Sequence, residues 1–137
     1  MTSMLTQGPA PGADTTEILV VDDSDEFTRY FARIIALDHP DIAVAVWDWR
    51  QDVPPADHDW SHTRLIVLDY RLGDRNGLDW LAKLRSRPST PPIVLVTSAF
   101  DDRVRDRALA LGAARFFRKD ELTRRVISGL VKSVALH

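Results

Sequence analysis

Residues 65–69 (LIVLD) place the tightest constraint on how this chain can fold. Four consecutive apolar residues, two of them β-branched, are typical of a β-strand that is buried on both faces. The run then stops at a carboxylate, Asp69. A charge at the end of a buried strand costs free energy unless another group pairs with it, so Asp69 is either a local cap or a functional group.

Similar short apolar runs alternate with segments of helical periodicity along the chain. The predicted strands span 17–21, 42–47, 65–69, 93–96 and 114–117, and the predicted helices span about 25–37, 78–87, 101–112 and 122 onward. Between the second and third strands, residues 48–63 contain Pro54 and Pro55 and show no clean helical face. We expect a short or irregular helix there, packed down by Trp49 and Trp60.

This alternation predicts an α/β domain with short loops. The number of strands and the size of the chain favour a flavodoxin-like, doubly wound, five-stranded parallel sheet with the order 2-1-3-4-5 and helices on both faces. In such a sheet, a site is expected at the carboxyl ends of the strands, where the winding direction reverses.

Composition narrows the class of protein further. The chain has 137 residues, 45% of them hydrophobic and 28% charged, which is ordinary for one globular domain. A net charge of −2 argues against nucleic-acid binding through bulk charge, and no apolar run approaches the roughly 18 residues of a membrane span. Because cysteine is absent, thiol chemistry is excluded. We expect a cytoplasmic domain at 17–137, preceded by a disordered leader at 1–16.

Polar residues concentrate where the predicted strands end. Asp22 and Asp23 follow the first strand, Asp69 ends the third, Thr97 follows the fourth and Lys119 follows the fifth. We expect these side chains to converge, because the ends of parallel strands share one edge. Three adjacent carboxylates raise one another's pKa, and Mg²⁺ relieves that repulsion. With a lysine and a hydroxyl nearby, the set fits attack by an aspartate on a phosphoryl group.

Four motifs at these spacings together resemble the receiver domain of two-component response regulators. They are VVDDS at 20–24, LDYRLGDRNG at 68–77, VTSA at 96–99 and GAARFFRKD at 112–120. The resemblance covers about residues 17–136 and implies a phosphoacceptor switch rather than an enzyme. Such a switch takes a phosphoryl group from the phosphohistidine of a sensor histidine kinase or phosphotransfer protein, with Mg²⁺ as cofactor.

The resemblance also implies which residues form the acceptor and metal site. Asp69 would be the phosphoacceptor and, together with Asp22 and Asp23, a metal ligand. Arg71, two residues after the acceptor, would offer its backbone carbonyl to Mg²⁺. Gly77 lies eight residues after Asp69, at the spacing expected for the family.

Other positions would carry the response to phosphorylation. By the same resemblance, Thr97 is the switch hydroxyl, Lys119 pairs with the phosphoryl group and Phe116 is the aromatic switch that changes rotamer. Ala99 stands two residues after Thr97 and cannot orient an attacking water. We therefore expect slow self-dephosphorylation.

Three departures from the family pattern concern partner recognition rather than chemistry. Gly73 stands in the loop after the acceptor where a proline is common, so that loop is expected to be more mobile. Asp120 follows Lys119 where a proline is frequent, and residues 48–63 lack the usual Gly-x-x-Ala-Leu helix pattern.

The sequence does not identify the protein or domain that responds to the switch. A downstream effector, a covalently linked output domain and a homodimer through the fourth helix, fifth strand and closing helix all remain open. One rival interpretation is an interaction module that signals without phosphorylation. Another is a phosphatase of the haloacid dehalogenase type, which requires an aspartate where this chain has Arg71. For His58 and His62, we favour solvated loop residues over a metal site.

Overall fold

The computed structural model describes residues 4–7 and 16–134. Its strands are β1 (Met4–Gln7), β2 (Thr16–Val21), β3 (Ile42–Trp47), β4 (Thr63–Asp69), β5 (Arg71–Leu72), β6 (Arg75–Asn76), β7 (Ile93–Thr97) and β8 (Arg115–Arg118). Its helices are α1 (Asp25–Asp38), α2 (Gly77–Arg85), α3 (Asp102–Ala110) and α4 (Arg124–Val134), with a 3₁₀ turn at Lys119–Glu121. No helix among these residues is long and apolar enough to cross a membrane.

The main sheet has the strand order β1-β3-β2-β4-β7-β8. Strands β3, β2, β4, β7 and β8 run parallel to one another and reproduce the predicted order 2-1-3-4-5. Strands β5 and β6 form a separate two-stranded hairpin in the loop after Asp69. The predicted doubly wound fold is confirmed.

The strands alternate their apolar side chains between two separate cores. On one face, Ile18, Val20 and Val67 belong to a buried cluster that includes residues of α1 and α4. On the other face, Leu19 and Leu68 belong to a cluster that includes residues of α2 and α3. The central strands are therefore apolar at nearly every position because both of their faces are covered.

The predicted disordered leader is wrong for residues 4–7. Strand β1 pairs antiparallel with β3, with Leu5 opposite Val46. Without β1, β3 would be an edge strand whose outer backbone groups lack partners, and pairing satisfies them. Four residues are too few to show a periodicity in the sequence, which explains the error. The rest of the expected leader, at 1–3 and 8–15, lies outside the described residues, and the domain bounds 17–137 stay a prediction.

The helix expected between β3 and β4 is also wrong. Residues 48–62 form turns, a bend and backbone without regular secondary structure. Aspartates close local turns here, since Asp48 accepts from Arg50 N at 3.0 Å and Asp59 accepts from Ser61 N at 2.9 Å. These side chains compete with helical hydrogen bonding, and Pro54 and the proline after it have no N–H to contribute.

Tryptophans hold this helix-free crossover against the sheet. Trp47, Trp49 and Trp60 are partly buried against the α2–α3 core, as predicted for two of them. The indole N–H of Trp47 also donates to the backbone carbonyl of Asp52 at 3.0 Å. Side-chain packing and side-chain hydrogen bonds therefore replace the missing helix.

Side-chain caps start three helices close to the carboxyl edge of the sheet. Ser24 caps α1 by accepting from Phe27 N at 3.1 Å, and Asn76 caps α2 by accepting from Leu78 N at 2.7 Å. Asp101 caps α3 by accepting from Arg103 N at 2.9 Å. Each cap satisfies a backbone N–H that the first turn leaves without a partner. The chain therefore turns sharply from strand to helix at this edge.

Gly77 allows the loop after Asp69 to fold back onto the strand end. Its N–H donates to the carbonyl of Tyr70 at 2.6 Å. A Cβ at this position would lie 2.1 Å from the backbone oxygen of Asp69. Any side chain at position 77 would therefore push Asp69 out of place.

We expect Gly77→Ala to lower the free energy of unfolding by about 1–3 kcal/mol, the usual cost of overpacking. The matched control is Gly129→Ala in α4, where a Cβ meets nothing within 4 Å. That variant should instead gain about 0.5–1 kcal/mol, because alanine favours a helix over glycine. Urea denaturation of the three proteins measures both changes. Equal stability of the two variants would contradict the close approach.

Candidate functional site

Most of the predicted polar residues line a cleft at the carboxyl edge of the sheet. The sheet register sets Asp69 opposite Val96 and Thr97 opposite Arg118, so the strand ends lie side by side. The cleft has a volume of about 430 Å³. Its lining includes Asp23, Asp69, Arg71, Thr97, Phe100 and Lys119.

A buried ion-pair network links three of the predicted site residues. The Nζ atom of Lys119 lies 3.0 Å from Oδ2 of Asp22 and 3.3 Å from Oδ2 of Asp69. Asp22 and Asp69 are both buried, and the lysine side chain is 15% exposed. One cation therefore faces two buried carboxylates, which leaves the negative charge of the pair only partly compensated.

The pKa of both carboxyl groups is shifted upward. Burial is the main cause, and the neighbouring charge of Asp22 adds to it, so the pKa of Asp69 rises to about 8. Burial also raises the pKa of Asp22, although Lys119 and a hydrogen bond from Ser24 N at 2.8 Å oppose the rise. Without more positive charge, the site does not favour two ionised carboxylates at neutral pH.

The residues present fit a divalent cation. Asp22, Asp23 and Asp69 each offer a carboxylate oxygen, and these atoms lie within 4.8 Å of one another. The hydrogen bond from Lys119 goes to Oδ1 of Asp22 at 3.1 Å, so the buried Oδ2 has the ion-pair contact with Lys119 but accepts no hydrogen bond. A hard cation prefers such oxygen ligands and would neutralise the excess charge. Within the described ranges, this trio is the only such acidic or histidine cluster, so His58 and His62 form none.

The third carboxylate is held differently from the other two. Asp23 is exposed at the mouth of the cleft, and its Oδ2 accepts a hydrogen bond from the backbone N–H of Gly73 at 3.0 Å. Asp69 accepts one from Arg71 N at a longer 3.4 Å. The loop after β4 therefore reaches both acids through its backbone.

Thr97 lies at the cleft but bonds locally. Its hydroxyl donates to the carbonyl of Ala99 at 3.0 Å, and its Oγ1 accepts a hydrogen bond from the N–H of Ala99 at 3.3 Å. The side chain is buried at the end of β7. The structure thus brings Thr97 beside the predicted acceptor, with its hydroxyl engaged in a turn.

Phe116 does not line the cleft. It is partly buried on β8 and contacts Phe100 edge-on, with ring centroids 6.4 Å apart. Phe100 does line the cleft and is 47% exposed. Phe116 is therefore connected to the cleft through a second aromatic ring that the sequence did not single out.

Two further contacts at the site are not visible in the sequence. The Nζ atom of Lys119 lies 4.7 Å from the ring centre of Phe27, a cation–π distance. The helical spacing assigns Phe27 only to the apolar face of α1. The 3₁₀ turn at Lys119–Glu121 contains Asp120 where the family frequently has a proline, and Glu121 in it accepts from Arg118 N at 2.9 Å. The spacing of residues along the chain gives no signal for either contact.

Comparison with known proteins identifies the family. The sequence profile of the response regulator receiver domain matches residues 18–130. The chain therefore belongs to the response regulator receiver domains, as its motifs and strand order indicated.

Curated relatives carry this domain as part of longer proteins. Residues of this chain are 28% identical over 114 positions to protein-glutamate methylesterase/protein-glutamine glutaminase 2 of Anaeromyxobacter dehalogenans (strain 2CP-C), covering 83% of this chain and 33% of that protein. They are also 28% identical over 130 positions to the alkaline phosphatase synthesis transcriptional regulatory protein SphR of Synechococcus elongatus, covering 90% of this chain and 51% of that protein. The chain thus spans between a third and about half of these relatives.

The fold also matches solved receiver structures. A response regulator receiver domain protein (CheY-like) from Methanospirillum hungatei JF-1 superposes with a TM-score of 0.72 at 18% identity. The match covers 88% of this chain and 93% of that one. At this level of identity, the likeness concerns the fold.

The raised pKa of Asp69 predicts a pH-dependent stability. In the native state, the carboxyl group of Asp69 stays protonated up to about pH 8, whereas in the unfolded state it releases its proton near pH 3.8. The unfolded state is therefore favoured progressively as the pH rises between these values. In metal-free buffer, Asp69→Asn should be more stable than the wild type, by a margin that grows from pH 5 to pH 8.

Urea denaturation with a chelator at both pH values measures this margin. Asp74→Asn, an exposed acid in the same loop, is the matched control and should show no such trend. A margin for Asp69→Asn that shrinks as the pH rises would contradict the upward shift.

Proposed function

We propose that this domain is a phosphorylation-dependent switch in which Asp69 accepts a phosphoryl group from a phosphohistidine. The observation that carries the proposal is the arrangement of Lys119 between Asp22 and Asp69 in a cleft that opens to solvent. A buried acid network at the carboxyl edge of this fold costs stability. Such a cost is typical of a site kept for its chemistry.

The chemical step is a transfer between two side chains. A carboxylate oxygen of Asp69 attacks the phosphorus, an O–P bond forms, and the P–N bond to the donor histidine breaks. The imidazole keeps the electron pair of that bond and takes up a proton. Lys119 stays beside the new phosphoryl oxygens and offsets their charge. Hydrolysis by water later restores the free carboxylate.

Asp22, Asp23 and Asp69, with the backbone carbonyl of Arg71, are the groups that would hold Mg²⁺. When bound, Mg²⁺ supplies positive charge that offsets the charge developing on the transferred phosphoryl oxygens. The protein residues bury the two acids and position the acceptor. Burial leaves the Asp22 side chain 0% and the Asp69 side chain 5% exposed, and the tight turn at Gly77 packs against the backbone of the acceptor.

Phosphorylation would be read through the β7–α3 loop and β8. A phosphoryl group on Asp69 offers hydrogen-bond acceptors that compete for the hydroxyl of Thr97, which now donates to Ala99. Turning that hydroxyl toward the acceptor leaves room for Phe116 to move inward, together with Phe100. The switch therefore alters a surface of α3, β8 and α4 that can meet an effector, a linked output domain or a second copy.

The family and the site together suggest the cellular setting. We propose a cytoplasmic switch served by a sensor histidine kinase or phosphotransfer protein. The curated relatives are longer than this chain, so we propose that an effector protein or a linked output domain carries the response. Nothing in the net charge of −2 favours nucleic-acid binding by this domain itself.

Acetyl phosphate with Mg²⁺ should add one phosphoryl group to the wild-type domain, detected by intact mass. Asp69→Asn should remove the modification completely, because the amide is not a nucleophile. Asp74→Asn should keep it, since Asp74 lies on the exposed part of the loop. A wild-type domain that stays unmodified would instead favour an interaction module that signals without phosphorylation.

Ala99 should make the phosphorylated state long-lived. Its methyl group cannot hold or activate the water that hydrolyses the acyl phosphate. Ala99→Glu and Ala99→Asn should shorten the lifetime of the phosphorylated protein about tenfold or more, since a positioned polar group typically contributes at least this much. Loss of bound phosphate after removal of acetyl phosphate gives the lifetime. An unchanged lifetime in both variants would show that Ala99 is not limiting.

A further inference from the structure

The helix-free crossover packs directly onto the loop that follows Asp69. Gly73 in that loop has a φ of +66°, and a Cβ on it would lie 2.5 Å from Cζ3 and 2.8 Å from Cη2 of Trp49. The indole therefore covers this glycine at van der Waals contact. Both the positive φ and the lack of space require glycine at this position.

The N–H of the same glycine holds a predicted metal ligand. It donates to Oδ2 of Asp23 at 3.0 Å. Asp22 and Asp69 are buried and in contact with Lys119, whereas Asp23 is exposed. An exposed carboxylate otherwise samples several rotamers, and each must be given up when it binds a cation. The bond from Gly73 restricts that freedom before any cation arrives.

Hydrogen bonds from the loop to the crossover also hold the two segments together. The guanidinium of Arg75 donates to the backbone carbonyl of Trp49 and, at 3.0 Å, to that of Gln51. Trp49 and the loop therefore hold each other, through ring packing on one side and hydrogen bonds on the other. The crossover at 48–62 thus takes the place of the helix that the order of elements predicts between β3 and β4.

We propose that Trp49 and Gly73 are positioning residues for Asp23, so that the crossover orients one ligand of the divalent-cation site. The inference rests on the proposed function and adds a residue outside the cleft to it. The ring of Trp49 packs on Gly73, and the N–H of Gly73 donates a hydrogen bond to Oδ2 of Asp23. Asp23 is thereby held with a carboxylate oxygen within 4.8 Å of those of Asp22 and Asp69 before any cation binds.

This assignment gives the departure at position 73 a physical meaning. A proline there has no N–H and could not bond Asp23. Glycine supplies that donor, and the ring of Trp49 restrains the backbone that glycine alone would leave free. The loop is therefore held by packing from the crossover rather than by a stiff residue of its own.

The affinity for Mg²⁺, measured by isothermal titration calorimetry on the whole chain, tests the inference without any activity assay. Trp49→Ala should weaken binding about tenfold, the usual lower range for loss of a group that orients a metal ligand. Trp60→Ala is the matched control, because Trp60 lies in the same crossover and contacts the ring of His58 edge-on, with ring centroids 4.4 Å apart. It should stay within about twofold of the wild type.

Two conservative variants separate positioning from folding. Trp49→Phe keeps a flat ring over Gly73 and should restore most of the affinity. Trp49→Leu keeps apolar bulk without the ring and should be weakened in the same direction as Trp49→Ala. Thermal unfolding checks that each variant is folded, and Trp49→Leu serves as the test if Trp49→Ala does not fold.

A double-mutant cycle tests the contact itself. Gly73→Ala should weaken Mg²⁺ binding strongly in the wild type, because its Cβ meets the indole of Trp49. In the Trp49→Ala background, the same change should cost clearly less, since the obstructing ring is gone. Additive effects would overturn the proposed coupling.

The outcomes distinguish this inference from the proposed function. If the wild type binds Mg²⁺ and accepts phosphate while Trp49→Ala and Trp49→Leu bind as tightly as Trp60→Ala, only the positioning role fails. If the wild type binds no Mg²⁺ at all, the proposed function fails, and the positioning role fails with it.

Discussion

The structure of this domain depends on two buried carboxylates that share one lysine. Asp22 and Asp69 end adjacent parallel strands, and the Nζ atom of Lys119 lies 3.0 Å from one and 3.3 Å from the other. Burial raises the pKa of both acids, so the free domain carries an electrostatic strain at its carboxyl edge. A divalent cation would relieve this strain. The chemistry that we propose and the instability of the free site therefore have one physical origin.

The surrounding fold keeps these charges in place against that strain. Apolar clusters cover both faces of the sheet and hold the strand ends in register. The turn at Gly77 folds so tightly onto Asp69 that no side chain fits. Phe27 adds its ring beside the ammonium of Lys119 at 4.7 Å. Stability is thus supplied by the apolar core, while the edge is left for function.

The crossover at 48–62 is where this domain differs from the expected pattern. Aspartate-closed turns and prolines prevent a helix, and tryptophan packing replaces it. The same segment covers Gly73, whose N–H bonds Asp23. Two departures from the family pattern, the missing helix and the missing proline, are therefore linked, because the helix-free crossover packs on the glycine that stands in place of the proline. We infer that this packing orients a metal ligand.

The sequence by itself determined the strand order and the set of polar residues at the strand ends. Short unbroken apolar runs such as 65–69 mark buried strands locally in the sequence, and parallel strands bring their carboxyl ends to one edge. Only the tertiary structure decided the contacts between segments far apart in the chain, such as Trp49 on Gly73, Phe27 beside Lys119 and β1 on β3. These contacts depend on side-chain shape and on free strand edges in three dimensions, and neither leaves a periodic signal in the sequence.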